Sequence, residues 1–366
     1  MAILAEHRSE TVLDLGWNEV TGAIGDSVTV LPLIVAIGAL TELSLAVMLM
    51  WFGGFQIIWG LYYGVPISVE PMKALAALVI AGAISTGEVL IAGLFLGLIL
   101  LFAGYTGVLE RLSDVIGLPV VRGVQLGVAL VLLETGVQLG VADLQLAGLA
   151  AVVALGVIGL GYWNLSPVVV LLIGGGIALV QTGVPSPALP TTNGMVLFDR
   201  TDLTFAVAEA TIAQLAMTLG NAALATSVLL SDYFKRDISA DELSTSMGVM
   251  NLSAIPLGAF PMCHGSGGVA GKYAFGARTA GANVILGVGY VAVAVLGVGL
   301  VAAYPLAMLG VILVVIALQL GRTSLDRTDE YVFVIAVGVV GLLFNLGVAF
   351  VAGLIGYHVS QRRKHV

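Results

Sequence analysis

The stretch V-P-I-S-V-E-P-M-K-A-L-A-A-L-V-I-A-G, Val65 to Gly82, decides how the rest of the chain is read. It holds two prolines, a glutamate and a lysine, and then runs into an apolar segment. Pro71 has no N–H and disfavours helix at the residue before it. It suits the first turn of a helix, where no donor is needed. Ile67 to Glu70 is therefore expected to be extended, with a short helix starting at Pro71.

The surroundings of this stretch are lipid-like. Of 366 residues, 59% are hydrophobic and 10% are charged. Soluble domains carry roughly 25% charged residues, so the excess apolar surface needs a bilayer to face. Extended backbone at membrane depth is tolerated only where it is buried in protein or lines a cavity. The lysine sharpens the point, because a charge at the bilayer centre costs ~2.5–3.5 kcal/mol on insertion scales.

Apolar runs punctuated by Gly, Pro and charge mark fourteen segments: 20–39, 43–62, 71–84, 89–107, 118–138, 145–162, 166–182, 203–229, 243–259, 264–275, 281–299, 302–320, 330–344 and 346–358. Segments 71–84 and 264–275 are too short to cross alone, since a spanning helix needs ~20 residues. Merging them into their neighbours gives a competing twelve-span reading. The polar break around Val184–Asp202 divides the chain into residues 1–183 and 203–366, with 184–202 as an extracellular linker. With the N-terminus in the cytosol, all Lys and Arg residues except Lys73 and Arg200 fall at cytoplasmic ends, Arg8, Arg111, Arg122, Lys272 and Arg327 among them. Both termini are then cytoplasmic, in the plasma membrane. The N-terminus lacks the basic-then-apolar order of a cleaved signal, so the first span is expected to stay.

The two halves repeat. At an offset of 190, Pro66–Met72 lies over Pro256–Met262, sharing P-x4-P-M, and Glu19–Thr21 lies over Glu209–Thr211. Seven segments per half is odd, so the halves must have opposite topology. The expected fold is an all-α polytopic membrane protein with a 7+7 inverted repeat, and two half-helices meeting at mid-membrane. Secondary transporters follow this plan, with their sites at the broken helices. Half-helix N-termini aimed at one point present free N–H groups and positive dipole ends, which suit an anion.

Candidate ligands follow from that geometry. On the first half-helix they are Glu70, Pro71, Met72, Lys73 and Ala74. On the second they are His264, Gly265, Ser266, Gly267 and Gly268. Glu70 and Lys73 can equally form an ion pair that pins the broken helix, and His264 can serve a backbone carbonyl. Gln214, Thr218 and Asn221 recur with Glu209 at helical spacing and can line the cavity or bond between helices. Asp26, Glu70 and Glu209 are the candidate proton carriers. Gln125 and Glu134 read as structural.

G-V-P-I-S-V-E-P-M-K-A-L-A-A and F-P-M-C-H-G-S-G-G-V-A-G-K-Y-A-F-G-A-R-T together resemble the paired signatures of the molybdate-transporter family, which is related to the SulP sulfate transporters. Asn18–Thr29, Val120–Gly127 and Ala213–Asn221 fit the same family. The resemblance implies a core domain that carries an oxyanion past a gate domain. It also implies a site between the third and tenth segments, proton coupling, and paired subunits as a homodimer. Where this chain has Glu70, the family usually has Gln.

The sequence and this resemblance together point to a secondary-active importer of molybdate or sulfate. Its rivals are a proton-coupled carrier of a neutral nucleobase on the same fold and a passive anion channel. No cofactor, metal site, enzyme activity or nucleic-acid partner is expected. The net charge is −8, G-S-G-G lacks the G-K-[ST] of a phosphate loop, and Cys263 is the single cysteine.

Overall fold

The computed structural model describes residues 13–109, 117–184, 186–187, 202–300, 303–326 and 328–364. Arg8, Arg111, Arg200, Arg327 and most of the 184–202 linker lie outside the described residues. The first half builds α1 (Trp17–Leu40), α2 (Leu45–Tyr63), β1 (Glu70–Pro71), α3 (Lys73–Ile80), α4 (Thr86–Thr106), α5 (Leu118–Val141), α6 (Leu144–Gly159) and α7 (Ser166–Thr182). The second builds α8 (Phe205–Phe234), α9 (Ala240–Ala254), β2 (Met262–Cys263), α10 (Ser266–Ala274), α11 (Gly281–Leu296), α12 (Leu306–Asp326), α13 (Tyr331–Leu343) and α14 (Leu346–Lys364). Each element of the first half has a counterpart in the second, in the same order.

Among the described residues, six helices are long and apolar enough to cross a membrane: α2, α4, α5, α7 with its leading turn, α8 and α12. Bent α1 makes a seventh. Pro32 cannot donate to the carbonyl of Val28, and α1 bends by 43° between Val28 and Val30. The short α3 and α10 stay separate from their neighbours, against the twelve-span reading. Gly82 has φ +69° after α3, and a capping box then starts α4: Glu88 N donates to Ser85 Oγ at 3.1 Å, and Ser85 N to Glu88 Oε2 at 2.6 Å.

The helices form two packing groups that cut across the halves. In one, α4 packs on α9, α2 on α11, and α1 on α10 and α11. In the other, α5 packs on α12, α13 and α14. The groups meet where α3 and α8 touch α5 and where α1 touches α7 and α12. Backbone-to-backbone contact sets the α1–α10 crossing. A Cβ on Gly25 would lie 2.7 Å from the carbonyl oxygen of Gly271, and one on Gly271 2.8 Å from that of Gly25.

β1 and β2 pair antiparallel at the centre, with Glu70 opposite Cys263 and Pro71 opposite Met262. Antiparallel pairing is what an inverted repeat requires when equivalent segments meet on its axis. This pair places the N-termini of α3 and α10 beside each other.

Candidate functional site

The extended backbone before α3 is fully buried, so its carbonyls need partners. Side chains supply them. Ile67 O accepts from Lys272 Nζ at 2.5 Å and from Asn283 Nδ2 at 2.7 Å. Ser68 O accepts from His264 Nδ1 at 2.9 Å, and Val69 O from Gln56 Nε2 at 3.2 Å. In the second half Asn251 does the same work. Its Oδ1 accepts from Met262 N at 2.8 Å, and its Nδ2 donates to Met262 O at 2.7 Å, completing the free edge of β2 like a third strand.

The two half-helix starts are capped differently. On α3, Gln214 Oε1 accepts from Ala74 N at 2.8 Å and from Leu75 N at 3.4 Å, and Gln214 Nε2 donates to Thr218 Oγ1 at 3.0 Å. On α10, Glu70 Oε1 accepts from Gly268 N at 2.9 Å and from Ser68 Oγ at 3.3 Å. Glu70 Oε2 takes Lys73 Nζ at 2.5 Å. Gly265 must be glycine, because a Cβ there would run into the Glu70 carboxylate. The first intrahelical bond of α10 is Val269 N to Gly265 O at 3.1 Å. Ahead of it, Ser266 and Gly267 bring the leading amides of the helix.

A second ion pair lies behind the first. Lys272 Nζ is 3.0 Å from Asp26 Oδ2, and both side chains are fully buried. The ammonium also reaches Gln56 Oε1 and Asn283 Oδ1, each at 2.9 Å. Ser68 Oγ donates to Asp26 Oδ1 at 2.7 Å, so this hydroxyl touches the carboxylates of both pairs. Lys272 is thus a correction to the sequence reading, which put it at a cytoplasmic end. It is the partner that lets α1 carry a buried aspartate.

A cavity of about 440 Å³ opens beside the half-helices. Lys73, Asn221, Ser266 and Gly267 line it, as do Arg122 and Gln125 of α5. Among the described residues, the charged side chains that line it are Lys73 and Arg122, and no carboxylate does. A Cβ built on Gly267 meets nothing within 4 Å, so its backbone faces open space. Asn221 sits in a π-helical stretch of α8, Thr218–Ala225, and its Oδ1 accepts a hydrogen bond from Ser266 Oγ. π-Bulges inside α-helices often sit at functional sites.

The expected residues therefore divide. Lys73, Ser266, Gly267 and Asn221 meet at the cavity. Glu70, Gly265, Gly268, Gln214 and Thr218 build its support without lining it. Pro71, Met72 and Ala74 are buried in the strand pair and first turn. His264 is buried as well, with Nε2 2.7 Å from Ser246 Oγ and Nδ1 on the Ser68 carbonyl, so both ring nitrogens are engaged away from the cavity. Asp26 is sealed with Lys272. Glu209 lies apart from the half-helices, where its Oε1 accepts from Asn345 Nδ2 at 2.9 Å. Gln125, read as structural, is a wall of the cavity and accepts Arg122 Nη1 at 2.8 Å. Glu134, exposed on the same helix, accepts only from Gln138 at 3.3 Å among the described bonds.

Broken helices crossed at mid-protein, paired through two short strands, define the seven-plus-seven inverted-repeat transporter architecture. The transmembrane domain of a cyanobacterium bicarbonate transporter, BicA, superposes with a TM-score of 0.69 at 16% identity, over 92% of this chain and 97% of that one. The murine anion transporter Slc26a9 does so with a TM-score of 0.71 at 13% identity, over 96% of this chain and 69% of that one. At these identities the likeness concerns the fold. The chain itself belongs to the family described as "Molybdate transporter of MFS superfamily", matched over residues 18–132 and 206–320, one stretch in each half. Molybdate transporter 2 of Arabidopsis thaliana is 28% identical over 94% of this chain and 88% of the relative. Molybdate transporter 1 of Chlamydomonas reinhardtii is 25% identical over 96% of this chain and 92% of the relative. These relatives are transporters and not enzymes.

Proposed function

We propose that this chain, built of two inverted repeats at residues 1–183 and 203–366, is a proton-coupled importer of a tetrahedral oxyanion, molybdate foremost and sulfate next, working by alternating access. The observation that carries the reading is the cavity: cationic side chains and leading helix amides line it, and no carboxylate does, among the described residues. At ~30 Å³ per water, its volume has room for an oxyanion with part of its hydration shell. Backbone N–H groups at a helix start, with a nearby ammonium, are the donors such an anion uses. The anion sits against Ser266 and Gly267 at the start of α10, with Lys73 and Asn221 beside it.

Glu70 is the proton carrier in this proposal. Its carboxylate already holds Lys73 Nζ and the Gly268 amide, both of which an arriving anion attracts. Charged groups face it from α3 (Lys73) and, beyond Ser68, from α1 (Asp26) and α10 (Lys272). Protonating Glu70 removes the charge that holds Lys73 and frees the ammonium for the anion. Anion and proton then bind together, and binding strengthens as pH falls. Asp26 is less suited, because it is buried against Lys272 and does not line the cavity, and Glu209 is remote from the cavity.

Uptake of labelled molybdate into proteoliposomes tests this. Accumulation above the outside concentration, driven by an acid exterior and competed by tungstate and sulfate but not by uracil, is the expected result. Uptake that only equilibrates and ignores the proton gradient would leave a passive channel. Uracil transport without molybdate transport would leave the neutral-substrate carrier. Residence in the plasma membrane with cytoplasmic termini, and a homodimer, belong to the same proposal; a protease-cleavable C-terminal tag and light scattering in detergent read them out.

A further inference from the structure

We infer that Arg122 is a second ligand of the oxyanion, contributed by α5, which makes the site selective for doubly over singly charged anions. This rests on the proposed oxyanion site and adds the residue that meets the cargo from the other packing group.

Arg122 and Lys73 are the two charged side chains lining the inner cavity among the described residues, and they come from different packing groups. Lys73 stands at the start of α3 and shares its charge with Glu70. Arg122 stands in the first turns of α5, where Gln125 Oε1, one helical turn on, takes its Nη1 at 2.8 Å. Gln125 is buried and also lines the cavity, so this bond steers the guanidinium along the cavity wall. The close approach of α8 fixes the height of that wall, since a Cβ on Gly220 would come within 2.9 Å of the Val121 side chain.

Arg122 also lines a larger chamber of about 1020 Å³ beside Leu118, Tyr331 and Tyr357. That chamber carries Asp326, Asp329 and Glu330, whereas the inner cavity carries no carboxylate among the described residues. Arg122 thus marks the boundary where an acidic vestibule gives way to a cation-lined site. Its planar fork can hold two oxygens of a tetrahedral anion at once, which an ammonium cannot. A dianion held between Lys73 and Arg122 ties α3 to α5, and so one packing group to the other. A monoanion gains less from the second cation.

The test is equilibrium binding to purified full-length protein in detergent, with molybdate and tungstate as dianions and perrhenate as a tetrahedral monoanion. Arg122→Gln is expected to weaken molybdate and tungstate by roughly 10- to 100-fold, the scale of one charge-assisted contact, and perrhenate by less than about threefold. Arg122→Lys keeps the charge and loses the fork, so perrhenate stays as in the wild type while molybdate weakens by an intermediate factor. It also serves if the Gln variant does not fold. Gln125→Leu removes the bond to Nη1 that steers the guanidinium and moves the molybdate-to-perrhenate ratio in the same direction. Equal losses for both charge classes, or none, in Arg122→Gln and Arg122→Lys overturn the inference. If Lys73→Ala abolishes binding while the Arg122 variants bind as wild type, only this inference falls. Wild-type protein that binds no oxyanion sinks the underlying proposal as well.

Discussion

Two buried ion pairs lie next to each other in this protein and share one serine hydroxyl, yet they are built for different ends. Asp26–Lys272 is sealed on every side, and Gln56, Asn283 and the Ile67 carbonyl surround the rest of the ammonium. Glu70–Lys73 stands at the edge of the cavity, with the Lys73 side chain 19% exposed and Glu70 bonded to a helix amide that an anion also wants. A charge pair with no exit fixes geometry. A charge pair at the rim of a cavity can exchange partners. Burial and surplus donors, rather than charge type, separate a strut from a switch.

Breaking the sealed pair has the largest expected effect. Lys272→Ala leaves the Asp26 carboxyl buried without its ammonium and removes one donor each from Ile67 O and Gln56 Oε1. Stability should fall by ~3–5 kcal/mol, the usual penalty for halving a buried pair, seen as a large drop in the detergent melting temperature. A variant that melts like the wild type would erase the distinction between strut and switch.

Breaking the rim pair should do the reverse. Lys73→Ala is expected to cut molybdate affinity on the order of 100-fold, with a smaller loss of stability than Lys272→Ala. A large loss of stability with unchanged affinity would make Lys73 a second strut. Glu70→Gln sharpens the comparison further. The amide oxygen can still accept from Gly268, but it no longer holds the ammonium by charge. Affinity at neutral pH should rise by roughly tenfold, and the gain on acidification should vanish in titrations at two pH values. An unchanged pH response would remove Glu70 as the proton carrier. The smallest effect is expected at Gly267→Ala, where the new methyl meets open space and the amide stays. Stability should move by less than about 0.5 kcal/mol, and a marked loss of anion binding would mean the anion approaches closer than the amide alone requires.

Much of this was legible from local chemistry. Pro71 and Pro261 announce the broken helices because proline acts on its immediate neighbours, and the matching P-x4-P-M spacing places the breaks in both halves. Lys73 stood out because few charges lie in such apolar surroundings. Other parts of the site depend on contacts far apart in sequence. Lys272 looks like any basic residue near a helix end, and only the close crossing of Gly25 and Gly271 brings it to Asp26. His264 reads as a ligand because it opens a half-helix, but the carbonyl that claims it is 196 positions away. Arg122 and Gln125 resemble ordinary residues at the start of a span, and their place on the cavity wall follows from how α5 leans on α3 and α8.

The two-residue strand pair has a mechanical consequence. It acts as a rivet between the repeats. Separating Glu70–Pro71 from Met262–Cys263 would strand backbone donors and acceptors where no water can reach them, at several kcal/mol per group. Any rearrangement that exposes the cavity first to one side and then to the other therefore turns about this point and does not pass through it. The fulcrum and the half-helix starts beside it travel together.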